Sequence, residues 1–451
     1  MDKNTLKTNF IESGYYAFDG VAARNIFYYL LFCNKIVDKS LFTESILQVC
    51  RMFPKLGSIF VKGVISDKWE PISDISKDNL PIKFYDVEAN DNKSFEKEVF
   101  KLFESQNNIE MDISKECPMK LFFYINKKIC KCAMLFGFHH AFTDGRGAIE
   151  LIRYIFKTYY SLMNHKNMPS FVNYNSLENF SKKLNDKYGI SKKKDSSSKK
   201  ITPNDVLPIF NEMYEKERET TGRNIRSYNE VVVYSEKFQK IKDWSKTIGL
   251  TINDFIVLIV LFLTQKYNKE LANSSKYIGT SFTIDARKYI DKKPFMIGNF
   301  SGYENFLINS DVIEKKLFNV YSDEIKKFKS SKVLGLDFFL MMRFADHIPT
   351  FISRPLIKYI MQKGVDGDVK NRKAISISNV GDLTNSFGKI SELIDRVIFI
   401  SNIPNKLIPQ LSVVSCNNVM TISLTKENDK NGVTNEICRK IEQIIDEIIY
   451  S

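Results

Sequence analysis

Apolar and polar positions along this chain fall into blocks that read as strands mixed with helices. Residues 130–138, CKCAMLFGF, are almost uninterruptedly apolar after the polar Asn126-Lys127-Lys128 turn, which predicts a short buried strand. Ile149, Ile152, Ile155 and Phe156 then recur at helical spacing behind Thr143 and Asp144, either of which can cap a helix. Further along, the pattern predicts strands over Glu230–Tyr234 and Tyr277–Ile284, a helix over Asn253–Tyr267, and a mostly helical stretch from about Ile313 to Ile360. Strands over Lys373–Asn379 and Val397–Asn402 precede a hairpin of Leu411–Ser415 and Val419–Thr425. The last element is an amphipathic helix, Asn435–Tyr450, with Ile437, Ile441, Ile444, Ile445 and Ile448 on one face. Strands and helices mixed in both halves predict an α/β (α+β) protein of two sandwich domains. Residues 182–200, KKLNDKYGISKKKDSSSKK, have few apolar groups, so 181–205 reads as an exposed connection between a domain at 1–180 and another at 206–451.

Composition narrows this picture. A chain of 451 residues exceeds one ordinary core, and 43% apolar residues with 35 Phe and 21 Tyr suffice to pack two. The longest strongly apolar helical stretch, Phe255–Leu263, falls far short of the ~20 residues that cross a bilayer. Thr251 and Asn253-Asp254 can cap it, so a buried core helix is expected and no membrane span. The N-terminus has no apolar run of signal-peptide length, which leaves a cytoplasmic location as the default. Seven cysteines, Cys33, Cys50, Cys117, Cys130, Cys132, Cys416 and Cys438, are odd in number and irregularly spaced, which argues against a disulfide framework. Cys130 and Cys132 are expected on one face of the strand before the histidines, as core residues. The net charge of +13 comes from dispersed lysines with acids among them and no nucleic-acid fold signature, so no nucleic-acid partner is expected.

The candidate chemistry sits where the first strand pattern ends. The chain has four histidines, and two of them, His139 and His140, stand together in FGFHHAFTDGRGAIELIRYIF. An imidazole has an ordinary pKa near 6.5 and can take a proton from a hydroxyl or amine if its ring is fixed and approachable. A strand, a turn holding Gly145 and Gly147, and a helix make a suitable mount. Such histidines can equally be half-buried polar residues satisfied by backbone groups. A metal site is disfavoured. Adjacent side chains on extended backbone point to opposite faces, no third ligand follows at metal spacing, and His165 and His347 lie in unrelated segments.

His139-His140-Ala141-Phe142-Thr143-Asp144-Gly145 reproduces the HHxxxDG signature, and on it the chain resembles the superfamily of chloramphenicol acetyltransferase, alcohol acetyltransferases and condensation domains. Other landmarks resemble that superfamily in order. They are the helix and Pro-x-Leu stretch in LFTESILQVCRMFPKLGSIF, the D-x-R pattern of Thr283-Ile284-Asp285-Ala286-Arg287 with Gly298-Asn299-Phe300, and the SNxG strand at Ser378-Asn379-Val380-Gly381. The DFGWG motif of the plant members is missing, since the only tryptophans are Trp69 and Trp244, which points to a microbial stand-alone enzyme.

The resemblance implies two chloramphenicol acetyltransferase-like domains with a channel between them. It implies an acyltransferase in which His140 is the general base and His139 supports the turn. Asp144 would turn away from the reaction centre to pair with Arg287, and Gly145 would serve the turn. Asn299, Ser301 and Ser378 are candidates for contact with the oxyanion or substrate. No cofactor is implied beyond the co-substrate, an acyl thioester of coenzyme A or of a carrier protein's phosphopantetheine, and the acceptor is a small alcohol or amine. Two other readings share the motif: a condensation enzyme joining carrier-tethered substrates, and a member that only binds. Ser is not expected as nucleophile, because no GxSxG elbow occurs.

Overall fold

A computed structural model of the chain describes residues 6–19, 24–73, 75–77, 80–108, 110–169, 177–188, 226–270, 276–289, 297–331, 334, 335, 339, 345–370, 375–403, 409–427, 429 and 432–450. Two sheets dominate. The first runs in the order Ile394–Ile400 (β12), Ile26–Cys33 (β2), Lys131–His139 (β7), Met119–Asn126 (β6) and Ile82–Asp86 (β5). The second runs Ser301–Asn309 (β10), Tyr277–Asp285 (β9), Ser376–Asp382 (β11), Gln410–Cys416 (β13), Val419–Glu427 (β14) and Arg226–Val233 (β8). A small third sheet joins Leu6–Lys7 (β1), Lys68–Pro71 (β4) and Ser58–Val61 (β3).

The first core explains why β7 reads as an apolar run rather than an alternating pattern, and why its neighbour β2, IFYYLLFC, is apolar throughout. They are central antiparallel neighbours, and all eight residues of β2 are buried. Helices Lys39–Met52 and Gly145–Met163 supply their own apolar faces to this core, with Phe42, Ile46, Ile149, Ile152, Ile155 and Phe156 fully covered. The second core is built around helix Ile252–Glu270, whose residues Phe255–Leu263 are buried, and around the isoleucine stripe of helix Val433–Ile449. Burial of a Leu or Ile side chain contributes about 1.5–3 kcal/mol, so these stripes anchor their helices.

Most sequence-predicted elements are present within a few residues, among them the buried strand before the histidines and the final helix; of the helical stretch expected at about 313–360, residues 332, 333, 336–338 and 340–344 lie outside the described residues, as do 373 and 374 of the strand expected from Lys373. Ser301–Asn309 was not foreseen as a strand. One strand also crosses the halves expected from sequence: β12 pairs with β2 in the first half's sheet although it lies far into the second half of the chain. It also touches the second sheet, where Ser401 just beyond it donates its N–H to Ser412 Oγ at 3.1 Å and Ser423 Oγ donates to the Phe399 carbonyl. Of the Lys- and Ser-rich connection, residues 181–188 continue helix Leu177–Tyr188, and the remainder lies outside the described residues. Leu184 holds that helix in place, buried among Ile11, Ala286 and Phe300. Cys130 does not share a face with Cys132. It occupies the turn before β7 at φ 53° and is exposed, whereas Cys132 is buried. Among the described residues, no single helix is long and apolar enough to cross a membrane.

Candidate active site

β7 ends at His139, which pairs in register with Ile26, and His140 extends the ladder by one bond, its N–H donating to the Asn25 carbonyl at 2.6 Å. The two imidazoles leave on opposite sides, as extended backbone requires. His139 is fully buried. Its Nδ1 accepts the Ala141 N–H at 3.1 Å, so Nε2 carries the proton and donates to Asp19 Oδ2 at 3.2 Å. This ring is tied at both nitrogens and braces the turn.

His140 is held differently. Asn299 Nδ2 donates to the His140 carbonyl at 2.8 Å, which turns the amide oxygen toward the ring, 2.9 Å from Nδ1. Nδ1 must therefore carry the ring proton, and Nε2 keeps its lone pair. Tyr15 stacks on the ring with centroids 4.1 Å apart, and Phe27 meets it edge-on at 5.3 Å. Burial in this apolar wrapping pushes the imidazole down to about 4, against the pull of the Asp144 carboxylate in the other direction. At neutral pH the ring is uncharged.

Asp144 is spent on structure. As the cap of helix Gly145–Met163 it accepts the Gly147 N–H at 2.8 Å. Arg287 clasps both oxygens, at 2.9 and 3.0 Å, and the Phe300 N–H and Ser301 hydroxyl add bonds at 2.7 and 3.1 Å. Burial opposes ionisation here, but Arg287 and these donors outweigh it and hold the carboxyl below its usual range. Arg287 also bonds Asp285 and the Gly298 carbonyl and lies over the Phe300 ring. Gly298 has φ 143°, a conformation open to glycine and costly for other residues, and it delivers Asn299 to His140. Gly145 matters for closeness rather than for turn conformation. A Cβ there would lie 3.1 Å from both the Tyr29 hydroxyl and Val380 Cγ1, at the seam between the halves.

The structure thus brings His140, His139, Asp144, Gly145, Arg287, Asn299 and Ser301 together at one seam, and Ser378 lines the same cavity beside His140. The three residues proposed for oxyanion contact differ in what they touch. Asn299 gives an amide hydrogen to His140 and Ser301 gives its hydroxyl to Asp144, while Ser378 faces the cavity with Tyr303 and Gln410. Tyr15, Tyr303 and Asp19 were not foreseen. Tyr15 covers His140 and the half-exposed Tyr303 lines the same cavity, yet no motif marks either tyrosine in sequence. The cavity is small, about 50 Å³, and two larger clefts of about 640 and 330 Å³ flank it. The larger reaches Asp19 and Ile26, and the smaller reaches Gly298 and Asn299, on either side of the histidine turn. Helix Phe10–Phe18, which carries Tyr15, is anchored between them. The Phe10 N–H bonds Asp346, and buried Glu12 accepts from Lys55 at 2.8 Å and from the Trp69 indole at 3.0 Å. No cluster of metal-ligating residues occurs among the described residues.

No family model and no curated protein matches this sequence. Solved structures match it over nearly its whole length. The first condensation domain of the CDA synthetase aligns with a TM-score of 0.65 at 10% identity, covering 100% of this chain and 97% of that one. TRI3 trichothecene 15-O-acetyltransferase from Fusarium sporotrichioides aligns at 0.67 and 10% identity, covering 99% and 95%. The chain has the condensation-domain fold. An epimerization domain of tyrocidine synthetase B shares that fold at a TM-score of 0.60 and 11% identity, covering 99% of this chain and 96% of that one. Condensation, acetyl transfer and epimerization thus all occur on this architecture, so the choice among them rests on the site.

Proposed function

We propose that this chain is an acyltransferase, moving an acyl group from a thioester to a hydroxyl or amine with His140 as general base. One observation carries the reading: Asn299 fixes the proton on Nδ1, which leaves Nε2 as the basic nitrogen of a neutral ring in the cavity between the halves. In the proposed step the acceptor's O–H or N–H proton moves to Nε2 as the heteroatom bonds the thioester carbonyl carbon. The C–S bond then breaks and the proton passes to the departing thiolate. Ser378 is the hydroxyl this reading assigns to the oxyanion. His139, Asp144 and Arg287 hold the turn and touch no reacting atom. A cavity of about 50 Å³ holds water but not a thioester, so Tyr15 moves when substrates bind. The flanking clefts suit two reactants reaching one base from opposite sides.

A carrier protein is the alternative source of the thioester, and the likeness to condensation and cyclization domains of peptide synthetases favours including it. The test is mass-spectrometric product detection with a panel of acyl-CoAs against alcohols and amines, run on wild type and His140→Ala. A product from wild type that drops by about 10²- to 10⁴-fold in the variant supports the reading. Product only with acylated carrier proteins assigns the donor to them. No product from either donor leaves a binding protein and ends the acyltransferase reading.

A further inference from the structure

Helix Thr350–Lys370 turns an apolar face toward solvent. Its inward positions Thr350, Ser353 and Ile357 are buried, but Phe351, Ile352, Leu356, Tyr359 and Ile360 are 44–57% exposed, at the i, i+4, i+8 spacing of one face. The patch continues onto the loop before β4, where Val64 and Ile65 are 72% and 75% exposed. That loop is fastened to the helix: the Thr350 and Phe351 N–H groups donate to the Ile65 and Val64 carbonyls, both at 3.0 Å, and Arg354 reaches the Gly63 carbonyl. Isolated exposed apolar residues need no explanation, but a contiguous patch on two joined elements marks an interaction surface.

Its charge selects the occupant. From His347 through Val365, the stretch that carries the exposed apolar residues, there is no Asp or Glu, the nearest acids being Asp346 before the helix and Asp366 and Asp368 near its end, while Arg354, Lys358 and Lys363 lie on the helix and Lys62 on the loop. Lys62, Lys358 and Lys363 are exposed, and Lys363 Nζ lies 4.8 Å from the centre of the Tyr359 ring. Aromatic and aliphatic side chains with lysines beside them, on a helix lying flat, are what an anionic bilayer surface binds: apolar groups enter the headgroup layer and lysine stems reach back to lipid phosphates. We propose that this face docks on anionic membranes. The arrangement has a use for the chemistry, because both flanking clefts border the same helix, one through Phe351 and Lys358 and the other through Thr350 and Ser353, with Ile65 of the loop beside them. Docking would set the cleft mouths against the lipid.

The test is vesicle flotation of the full chain with phosphatidylcholine alone and with an equimolar mixture of phosphatidylcholine and phosphatidylglycerol. Wild type is expected to float with the mixed vesicles and at least about tenfold less with the neutral ones. An Ile352→Ser, Leu356→Ser double variant loses the apolar contact. A Lys358→Ser, Lys363→Ser double variant loses roughly 30-fold in binding, the attraction of two lysines. Both pairs are surface positions, so thermal melting should stay as in wild type. Wild type that fails to float with mixed vesicles, floats equally with neutral ones, or is matched by both variants overturns the proposal. Patch-dependent binding to an acidic carrier protein without vesicle binding would reassign the face to a protein partner.

Discussion

His140 combines two settings that pull on its chemistry: an apolar wrapping that favours the neutral ring, and Asn299, which dictates the proton's position. The neutral form holds the lone pair, so activity is lost as pH falls through the folded value of about 4, and kcat/KM should keep its plateau well below pH 6. Replacing Asn299 with Asp sets a carboxylate beside Nδ1 and favours the imidazolium, so the acid limb should move up by roughly 1 unit or more. A limb that stays put in N299D would remove Asn299 from the account. The same shift bears on stability. Above pH 6.5 the ring is neutral folded and unfolded and contributes nothing; between 6.5 and about 4 only the unfolded state takes the proton, so stability falls as pH falls, by about 3 kcal/mol. Urea midpoints across that window should fall more steeply for wild type than for His140→Gln. At this scale the sequence marked the histidine pair and Asp144 because they are local to one turn. Tyr15 and Asp19 reach the site from one helix near the N-terminus and Tyr303 from an edge strand, and nothing in their own surroundings announces it.

Helix Gly145–Met163 and its cap join the two halves through the Asp144–Arg287 ion pair, with Arg146 beside it 4.0 Å from Asp285. Asp144 caps the helix on one side and binds Arg287, Phe300 and Ser301 on the other. Arg287→Ala leaves a buried carboxylate without its partner and should cost about 3–5 kcal/mol, read from denaturant unfolding. Arg287→Lys should recover only part, since an ammonium cannot grip both oxygens. Gly145→Ala should cost about 1–3 kcal/mol, because the added methyl meets Tyr29, Val380 and Phe399 together. Wild-type stability in G145A would mean the seam is looser than these distances indicate. Elements with a dense apolar signal, such as the 252–270 and 433–449 helices, were legible in sequence. Ser301–Asn309 was not: it is an edge strand, with Gly302 and Glu304 interrupting its pattern and Tyr303 and Leu307 exposed. The helix at 177–188 was hidden because its sequence is mostly polar, and the described contacts that hold it, Leu184 in a small cluster and Tyr188 against Tyr289, are too sparse to make a periodic pattern.

At the scale of the molecule, β12 decides how independent the halves are. It covers the edge of β2 and touches β13 and β14 through Ser412 and Ser423, so the first half lacks a sheet edge without the second. A fragment of residues 1–188 should therefore show no cooperative melting, while the full chain melts in one transition; a fragment that melts sharply on its own would contradict this. Sheet membership of this kind pairs residues hundreds of positions apart, and periodicity along the chain carries no trace of it. The anchoring of helix Phe10–Phe18 has an optical consequence. Trp69 donates its indole N–H to Glu12 on that helix, while Trp244 lies in the other core against Phe255 and Phe318. If the helix lifts to uncover His140, Trp69 alone exchanges a carboxylate for water, so its emission is a native reporter of site opening with Trp244 as the steady reference.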